Sequence, residues 1–599
     1  MCGIAGILTN SQNQNNLETF IGRMQKSLRH RGPDDQGIYI SPKQQAAFVH
    51  TRLAILDLTP TGHQPMSTAD QRYWITFNGE IYNYRELRCF LEAQGEQFHS
   101  QTDTEVILKL YQRIGVDCVD HLRGMFAFAI WDDLEQTCVI VRDPLGIKPL
   151  YYWHSDSTLV FASELRAILT TGLLSISLNS KGLYGYLVSG SVPEPDTMIE
   201  GIYCLPAGHW LRWQSGNFIH NSYWKIDFTP ETTSLSEAKE KVRSALLDSV
   251  QHHFVSDVPV GIFLSGGIDS TSVVALARKT QSSQLRTYSI AFAEPEWNEG
   301  EIARKVADHF ETKHTEYKIT ASLGRELFTQ FLDTLDQPSI DGFNTFCISQ
   351  VTRQDGIKVA LSGLGGDELF GGYPSFHKIP YMVSLSQKLH TFSPLCKSLG
   401  KTLESWGKSP YIKRLGDFLQ QPPTVTAAYR SFRGIFSHQE ACTLALQYLP
   451  ELPLPTRQVP PPIFQSQTFS LEDEVSWLEL SCYMRNQLLR DSDVMSMAWG
   501  LELRIPLVDR VLLEAIASIP SSIRLASGKQ LLIQAVPELP SWVVNRPKQG
   551  FFFPFQKWIT GEWSDYFRVV DSQNNISLEA WYRRWSLTIL YYWWERITA

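Results

Sequence analysis

Short apolar runs separated by turn signals fill the first two hundred residues, a pattern typical of β-strands. Residues 74–77 predict a strand that stops at Asn78-Gly79. The runs 125–131 and 137–142 flank a short polar stretch and predict a hairpin. Two helices are predicted from apolar residues at helical spacing, over 17–28 and 84–93.

The pattern changes beyond a polar stretch at 229–234, which predicts a linker, and a helix is predicted next over 236–250. From there apolar strands, glycine turns and helices alternate, which indicates a parallel α/β sheet. The predicted strands are 260–264, 287–292 and 358–361, and the predicted helix between the first two is 270–278.

Two later stretches stand apart from this alternation. Five prolines within 453–462 predict an irregular surface excursion. The aromatic tail at 581–594 predicts a helix that faces the core, and a subunit contact in a homodimer is the alternative interpretation.

Length and charge narrow the class of protein. The chain has 599 residues, too many for one hydrophobic core, and about 150 residues per domain would give roughly four units. With 43% hydrophobic and 19% charged residues, the composition is that of a soluble globular protein. A net charge of −8 gives no general attraction to nucleic acid or anionic lipid, so neither nucleic acid nor a membrane is expected as a partner.

The nine cysteines are odd in number, scattered and without a CxxC pair, so a disulfide framework or zinc knuckle is not expected. The first apolar run is too short for a signal peptide, and no stretch of about 18 apolar residues predicts a membrane span. We therefore expect a protein of the reducing cytoplasm.

One cysteine occupies a special place. An initiator methionine before a small residue is normally removed, which would make Cys2 the first residue. Its free α-amine could then act as general base for its own thiol. The alternative is a small buried cysteine without a chemical role.

Cys2-Gly3-Ile4-Ala5-Gly6 resembles the start of the class II glutamine amidotransferases, whose nucleophile is the N-terminal residue. The resemblance extends to about residue 210. It rests on further fragments in family order: RHRGPD at 29–34, HTRLAI at 50–55, GHQPM at 62–66, FNGEIYN at 77–83, TDTE at 102–105 and RDPLGIKPL at 142–150.

This resemblance assigns roles that suit the chemistry of a glutaminase. Attack by the Cys2 thiolate on a carboxamide creates an oxyanion, for which the family uses the positions of Asn78 and Gly79. The other expected contacts are with the glutamine substrate: Arg52 for its α-carboxylate, Asp103 for its α-ammonium and Glu80 as a second contact.

A glycine loop, LSGGIDS at 264–270, follows a predicted strand and opens a predicted helix, a context in which backbone N–H groups can bind an anion. It lacks the lysine of a P-loop and instead resembles the pyrophosphate loop of ATP-pyrophosphatases, with Asp269 as a Mg²⁺ ligand. A tight turn without a ligand is the alternative. The expected ATP-binding residues are Leu264, Ser265, Gly266, Gly267, Asp269, Ser270, Ile290, Ser362 and Gly363.

A second glycine cluster, LSGLGGDELFGGY at 361–373, resembles the matching loop of asparagine synthetases, which implies that Asp367 is a second Mg²⁺ ligand. The stretches 490–498 and 501–509 match a helical segment of that family, and Lys548 stands at its catalytic lysine. The order of both halves is that of glutamine-hydrolysing asparagine synthetase. The resemblance implies an α+β N-terminal-nucleophile sandwich (αββα) over 2–210, a linker at 211–235 and an α/β parallel-sheet ATP-pyrophosphatase domain over 236–599.

The implied reaction uses glutamine, ATP and Mg²⁺ to amidate a carboxylate acceptor, expected to be aspartate. Leu364 replaces a glutamate frequent in the family, and residues 341–345 replace a Thr/Ser- and Arg-bearing loop, so another carboxylate is the alternative acceptor. A phosphoribosyl amidotransferase or hexosamine-phosphate synthase would explain residues 2–210 but leave the loop at 265–270 unexplained. A catalytically inactive binding protein is the third hypothesis, which the intact candidate residues oppose.

Overall fold

A computed structural model describes residues 2–10, 16–231, 234–389, 393–450, 469–547, 553–571 and 576–598. The proline stretch predicted at 453–462 and the candidate Lys548 lie outside the described residues. No helix in the described ranges has the length and apolar character to cross a bilayer.

The first part of the chain forms two six-stranded antiparallel sheets. The first has the order β10-β8-β9-β1-β3-β2 and the second the order β12-β11-β7-β6-β5-β4. Their strands are β1 Gly3–Thr9, β2 Asp35–Ile40, β3 Ala46–Arg52, β4 Met66–Ser67, β5 Tyr73–Ile81, β6 Gly124–Asp132, β7 Thr137–Arg142, β8 Tyr151–His154, β9 Thr158–Ala162, β10 Ile202–Cys204, β11 His209–Gln214 and β12 Asn217–Ser222.

The second part has a five-stranded parallel sheet of order β15-β14-β13-β16-β17. Its strands are β13 Val260–Phe263, β14 Arg286–Phe292, β15 Lys313–Ile319, β16 Val359–Leu361 and β17 Glu502–Arg504. An antiparallel domain therefore precedes a parallel one, as expected. The central strands β1, β3, β6 and β7 of the first part are buried along almost their whole length, because each antiparallel sheet is covered on both faces.

The helices as far as α13 are α1 Leu17–Leu28, α2 Tyr84–Ala93, α3 Asp103–Ile114, α4 Leu165–Leu169, α5 Ser180–Ser189, α6 Leu235–His253, α7 Ile268–Thr280, α8 Gly300–His309, α9 Ala321–Thr334, α10 Phe343–Gln354, α11 Gly366–Phe370, α12 Ser375–Leu389 and α13 Ser393–Trp406. The later ones are α14 Pro410–Leu419, α15 Val425–Arg433, α16 His438–Tyr448, α17 Leu471–Leu478, α18 Arg490–Met497, α19 Arg510–Ala517, α20 Ser521–Arg524, α21 Gln530–Ala535, α22 Ser541–Val544, α23 Phe555–Thr560, α24 Ser564–Phe567 and α25 Trp581–Thr598. A π-helical stretch, Glu479–Leu489, joins α17 to α18.

Three hydrophobic clusters show how the antiparallel sheets pack. Apolar side chains of β1 and β3 share one cluster with those of β6 and β7, so the two sheets face each other. The opposite face of the first sheet packs against α1, and the opposite face of the second packs against α3. The predicted helices 17–28 and 84–93 are both present, and the hairpin is formed by β6 and β7.

Three boundaries differ from the sequence expectations. Strand β5 continues through Asn78-Gly79 because both residues pair with residues of β6. The linker predicted from residue 211 begins too early, since β11 pairs with β7 and places Leu211 and Trp213 in the core between the sheets. The stretch 501–509, expected to be helical, contains β17, which pairs with β16.

The two parts share hydrophobic core. One cluster joins Leu53, Tyr82 and Ile147 of the first part to Ile262 and Leu507 of the second. The aromatic helix α25 is buried through residues such as Trp585 and Trp593, as its core-facing interpretation predicts. The candidate sites of the two parts are thus held in one packed body.

Candidate active sites

A small cleft opens where Cys2, just before β1, meets the end of β3, the end of β5 and the start of α3. Its lining includes Cys2, Arg52, Gly79, Glu80 and Asp103. The two most distant of these five residues, Cys2 and Asp103, are 101 positions apart in sequence. The structure therefore brings together the glutamine-site candidates that the sequence predicted, with Asn78 beside them.

Cys2 is fixed in this cavity by its own backbone. Its nitrogen donates a hydrogen bond of 2.9 Å to Oδ1 of Asn78, so the atom that would become the α-amine has a defined position. Burial raises the pKa of the Cys2 thiol, which means that the thiolate is not the resting form. The thiol therefore needs a nearby proton acceptor before it can attack.

Asn78 and Gly79 have the properties that an oxyanion site requires. No acceptor among the described residues lies within hydrogen-bond distance of the buried Nδ2 of Asn78. Gly79 has a φ of +154°, and a Cβ there would lie 2.7 Å from Cα of Phe126 on the paired strand. Only glycine fits this close pairing, and a buried N–H donor without a partner is available to a ligand.

Arg52 carries its charge into the cavity without a protein counterion. Its guanidinium donates to the backbone carbonyls of Leu56 (3.2 Å), Asp57 (2.5 Å) and Thr59 (3.0 Å). Across the described part of the chain, no carboxylate lies within 4 Å of it in an ion pair. Three carbonyl contacts fix the orientation of the fork while the positive charge stays available for an anionic ligand.

The two acids of the cavity are held differently. Asp103 begins α3, whose N-cap is Thr102, and its Oδ2 accepts a 2.9 Å hydrogen bond from the N–H of Ile81. Burial raises the pKa of Asp103 to about 7. Glu80 lies 3.4 Å from Nη2 of Arg504, yet burial and the nearby Glu502 still raise its pKa. Both acids therefore sit where a cationic ligand would relieve the cost of their charge.

Arg31 ties Cys2 to the second part of the molecule. Its fully buried guanidinium donates to the carbonyl of Cys2 (3.0 Å), to Glu164 (2.9 Å) and to Asp493 of α18 (2.7 Å). Lys148 reaches the same Asp493 at 3.3 Å. A carboxylate of the parallel-sheet part thus helps to position the candidate nucleophile.

Arg504 connects the two candidate sites directly. Its side chain reaches Glu80 of the first cavity, and its carbonyl accepts a 2.9 Å hydrogen bond from the N–H of Ser362, a candidate ATP residue. Its Nη1 donates to the carbonyls of His253 and Val255, so the guanidinium is rigidly placed. The contact is buried and spans the boundary between the two parts.

The second site lies at the carboxyl ends of parallel strands. β13 has β14 on one side and β16 on the other, so the chain reverses its direction of travel across the sheet at this point. Ligands of open α/β sheets bind in the crevice at such a position. The loop at 264–270 follows β13, and Ser362 and Gly363 follow the adjacent β16.

Both glycine loops fit closely together. In the first, Oγ of Ser265 lies 3.0 Å from Oγ of Ser270, and Gly266 has a φ of +77°. A Cβ on Gly363 would lie 2.7 Å from the backbone nitrogen of Ser270. The missing side chains leave backbone N–H groups at the start of the thirteen-residue helix α7, which favours an anion such as a phosphate.

Asp269 and Asp367 converge on one cation, the ammonium of Lys529. Its Nζ lies 2.5 Å from Oδ2 of Asp269 and also contacts Oδ1 of Asp367. Burial would lower the pKa of Lys529, but the two aspartates outweigh it and raise the pKa. No cluster of three potential metal-ligating side chains occurs within the described ranges.

Two carboxylates that meet at one point fit a magnesium ion bound with a nucleotide. Mg²⁺ commonly takes one or two protein carboxylates and completes its coordination with water and substrate phosphates. A Cβ at Gly366 would overlap the Asp269 carboxylate, so the second loop is shaped around that side chain. The donor set therefore suits the expected ion.

The remaining candidates occupy secondary positions. Leu264 and Ile290 are buried, the first just after β13 and the second in the neighbouring β14. Leu364 is half-buried in the shared core, and Asp341 is packed beside α18 through Ser339 and Asp491. Sequence reasoning missed Lys529, Arg504 and Arg31 as site residues, because no local motif predicts which distant carboxylate a cation will meet.

Comparison with known proteins covers almost the whole chain. A family model described as a glutamine amidotransferase domain matches residues 1–224, and one described as asparagine synthase matches residues 241–594. The chain is 32% identical over 592 residues to glutamine-hydrolyzing asparagine synthetase 1 of Bacillus subtilis, covering 95% of this chain and 90% of that protein.

Other relatives carry more varied names. A putative glutamine-hydrolyzing asparagine synthetase of Methanocaldococcus jannaschii is 36% identical and covers 65% of this chain and 79% of its own. The protein named amidase chry2 of Gibberella zeae is 27% identical and covers 94% of this chain and 90% of its own. A solved glutamine phosphoribosylpyrophosphate amidotransferase of B. subtilis covers 54% of this chain and 91% of its own at 14% identity, but its TM-score of 0.30 is too low to establish a shared fold.

Proposed function

Because the chain belongs to the asparagine synthase family, we propose that it is an ATP-adenylating amidotransferase that transfers the amide nitrogen of glutamine to aspartate. The observation that carries this proposal is the cavity in which Cys2, Arg52, Gly79, Glu80 and Asp103 meet. The two facing antiparallel sheets are then the αββα sandwich of an N-terminal-nucleophile glutaminase, over roughly residues 2–222, and the parallel-sheet part is the synthetase.

The first half-reaction takes place at Cys2. Removal of Met1 makes the nitrogen held by Asn78 an α-amine, which accepts the thiol proton as sulfur attacks the carboxamide carbon of glutamine. Nδ2 of Asn78 and the N–H of Gly79 stabilise the oxyanion. The α-ammonium returns this proton to the amide nitrogen, which leaves as ammonia, and water then hydrolyses the glutamyl thioester to glutamate and restores the thiol.

Glutamine is oriented by the charges around the cavity. Arg52 binds the α-carboxylate, since its fork is fixed by backbone carbonyls and carries an uncompensated charge. Asp103 binds the α-ammonium, and Glu80 supports it from the side of Arg504. The bound ammonium lowers the cost of keeping these buried acids ionised.

The second half-reaction takes place at the glycine loops. The β-carboxylate of aspartate attacks the α-phosphorus of ATP and displaces pyrophosphate, and ammonia then attacks the acyl-adenylate and displaces AMP. The loop at 264–270 with Ser362 and Gly363 would hold the nucleotide, and Asp269 and Asp367, which meet at Lys529, would hold Mg²⁺. When bound, Mg²⁺ neutralises phosphate charge. Lys548 is proposed as the cation for the leaving pyrophosphate.

The replacement of Cys2 by alanine tests the division into two sites. Product formation from glutamine should fall by about 10³-fold or more, because the nucleophile is lost, while synthesis from free ammonia should continue. Cys89→Ala, at an exposed cysteine, is the matched control and should leave both activities unchanged. Loss of both activities in Cys2→Ala, or of neither, would contradict the proposal.

The acceptor is tested separately. Leu364 and the packed loop at 341–345 favour a second candidate, a carboxylate other than aspartate from a polysaccharide or secondary-metabolite pathway. Pyrophosphate release with aspartate and with other carboxylic acids separates the two. If aspartate gives no stimulation above the background rate, the second candidate replaces the first; release of ADP instead of AMP would exclude adenylation altogether.

A further inference from the structure

One edge of strand β5 lines the glutamine cavity without a neighbouring strand. Strand β5 is paired with β6 along its whole length, but its other neighbour, β4, pairs only with Trp74 and Ile75. Beyond Ile75, no strand in the described ranges lies beside this edge. The backbone groups of β5 that point towards the edge therefore need other partners.

The pairing register shows where the backbone of Gly79 points. Opposite residues of an antiparallel pair either bond to each other or both direct their backbone groups away, and the two cases alternate along the strand. Phe126 is the partner of Gly79 in β6, and its carbonyl accepts a 2.8 Å hydrogen bond from the N–H of Asp143, on the far side of β6. The N–H of Gly79 therefore points away from β6, towards the open edge.

Two buried side chains bind the backbone of Phe77, which points to the same edge because it lies two positions before Gly79. Oε1 of Gln64 accepts a 2.8 Å hydrogen bond from the N–H of Phe77. Nε2 of His50 lies 3.1 Å from the carbonyl oxygen of Phe77. Burial lowers the pKa of His50 to about 3, so the ring is neutral near pH 7 and Nε2 carries the proton that it donates to this carbonyl.

The edge is bound again two positions after Gly79. Oδ2 of Asp103 accepts a 2.9 Å hydrogen bond from the N–H of Ile81. The N–H groups of Phe77 and Ile81 thus have side-chain acceptors, whereas no side chain in the described ranges accepts from the N–H of Gly79 between them. The cavity that contains Cys2 lies beside this open donor.

The burial of His50 is not explained by folding alone. The side chain is fully buried, and its Nδ1 has no hydrogen-bond partner among the described residues. A buried polar nitrogen without a partner destabilises the folded state, and an apolar side chain would avoid that cost. The bond that the ring does make is to the carbonyl of Phe77, directly before Asn78. The imidazole is therefore better explained by the backbone that it holds than by a contribution to stability.

We propose that Gln64 and His50 are positioning residues of the oxyanion site, which hold the edge of β5 so that the N–H of Gly79 points into the cavity. This inference rests on the proposed glutaminase function. A glycine peptide rotates easily because it has no Cβ, so its direction depends on the residues beside it. Hydrogen bonds to Phe77 fix the strand just before this flexible position. The donor is then aligned before the oxyanion forms, which is what preorganised stabilisation requires.

The kinetics of glutamine hydrolysis by the full-length protein test this inference. His50→Phe and Gln64→Met remove the hydrogen bonds to Phe77, and each should lower kcat about ten- to hundredfold. The KM for glutamine should change little, because an oxyanion donor acts on the transition state and not on the bound amide. His50→Gln, whose amide can donate from the place of Nε2, should recover most of the lost kcat.

Thr76→Val is the matched control. Thr76 is buried in the same strand, and its Oγ1 donates a 2.9 Å hydrogen bond to the carbonyl of Val49. Its backbone points towards β6 because it is one position from Phe77. The substitution removes a buried hydrogen bond of β5 without touching the open edge, so kcat should stay near that of the parent protein.

A tetrahedral analogue of the reaction provides a second measurement. With the γ-aldehyde of glutamate, the sulfur of Cys2 bonds to the aldehyde carbon, the C=O π bond opens to an oxygen anion and the thiol proton moves to the α-amine. The inhibition constant of this aldehyde should rise in His50→Phe and Gln64→Met by the factor by which kcat falls. The dissociation constant of glutamate should stay near the parent value, which also shows that each variant is folded.

Three results would overturn the inference but not the proposed function. The first is parent-like kcat in both His50→Phe and Gln64→Met, and the second is an equal fall of kcat in Thr76→Val. The third is a rise in KM with weaker glutamate binding, which would mean that the two side chains shape the glutamine pocket instead. If the parent protein does not hydrolyse glutamine, the proposed function is wrong and this inference fails with it.

Discussion

The two candidate sites are built in different ways. The glutamine cavity consists of residues at the ends of strands and at the start of a helix. Backbone atoms fix two of its charged groups: Arg52 donates to three carbonyls, and Asp103 accepts from the N–H of Ile81. The ATP site consists of two loops at strand ends whose acids meet on the cation of a third segment, Lys529.

This difference shows how each candidate site depends on other parts of the protein. The glutamine cavity is complete in shape but is braced from the parallel-sheet part, through Asp493 on Arg31 and Arg504 on Glu80. In the candidate ATP site the two aspartates proposed to bind the metal, Asp269 and Asp367, already have a protein cation between them, the ammonium of Lys529. A cation that arrives with the nucleotide would have to displace Lys529 or bind beside it. Under the proposed function the glutamine site is therefore preorganised, whereas binding of the nucleotide and its metal would require Lys529 to move or to share the two aspartates.

After the replacement of Cys2, the next largest expected effect is confined to the candidate ATP site. Asp367→Asn should lower pyrophosphate release by about 10²–10³-fold, because one of two anionic oxygens proposed to hold the metal is lost. Glutamine hydrolysis, measured as glutamate release, should change little. Asp308→Asn, at an exposed position of α8, is the matched control. An equal fall of both activities would show that the sites are not independent.

A smaller effect is expected where the sites are joined. Arg504→Met removes the cation beside Glu80, so the KM for glutamine should rise about tenfold or more while ammonia-driven synthesis is affected less. Arg504→Lys should restore part of the loss. Arg510→Met, which removes an exposed pair with Glu514, serves as the control. Unchanged KM in Arg504→Met would show that Glu80 needs no support from the synthetase part.

The smallest expected effect is on how kcat/KM for glutamine depends on pH, and it arises in the glutamine cavity alone. Since burial raises the pKa of Asp103 to about 7, this acid is increasingly protonated below pH 7 and loses its attraction for the substrate ammonium. kcat/KM for glutamine should therefore fall by up to tenfold per pH unit below 7. Asp103→Asn should lower kcat/KM and remove this step. A flat profile from pH 8 to 6 would contradict the assignment.

The raised pKa of Asp103 also predicts how the free energy of unfolding depends on pH. The folded state holds the Asp103 proton more tightly than the unfolded chain, in which the pKa is near 3.8. The contribution of this group to the free energy of unfolding is therefore fully present below pH 4 and is lost as pH rises through about 7. Chemical denaturation of the parent protein and Asp103→Asn across this range measures the difference.

Local sequence determined much of the architecture. The helices at 17–28 and 84–93, the hairpin of β6 and β7 and the buried strand β14 match their predicted positions because each depends on periodicity within a few residues. The motifs around Cys2, Asn78 and Asp269 also marked residues that lie at the two sites. The prediction that the strand stops at Asn78-Gly79 was wrong, because pairing with β6 outweighs the local preference of these residues for a turn.

Only the tertiary structure decided how the sites are supported. The pairs Arg31–Asp493 and Glu80–Arg504 join residues more than 400 positions apart, and no periodicity or spacing records such a contact. The same holds for Lys529, which meets two acids from separate loops. The sequence by itself determined which elements form and which groups carry the chemistry. The packing of distant segments decided which charged side chains meet. Such a contact depends on where the chain folds back on itself, and the residues next to each charge in the sequence do not determine this.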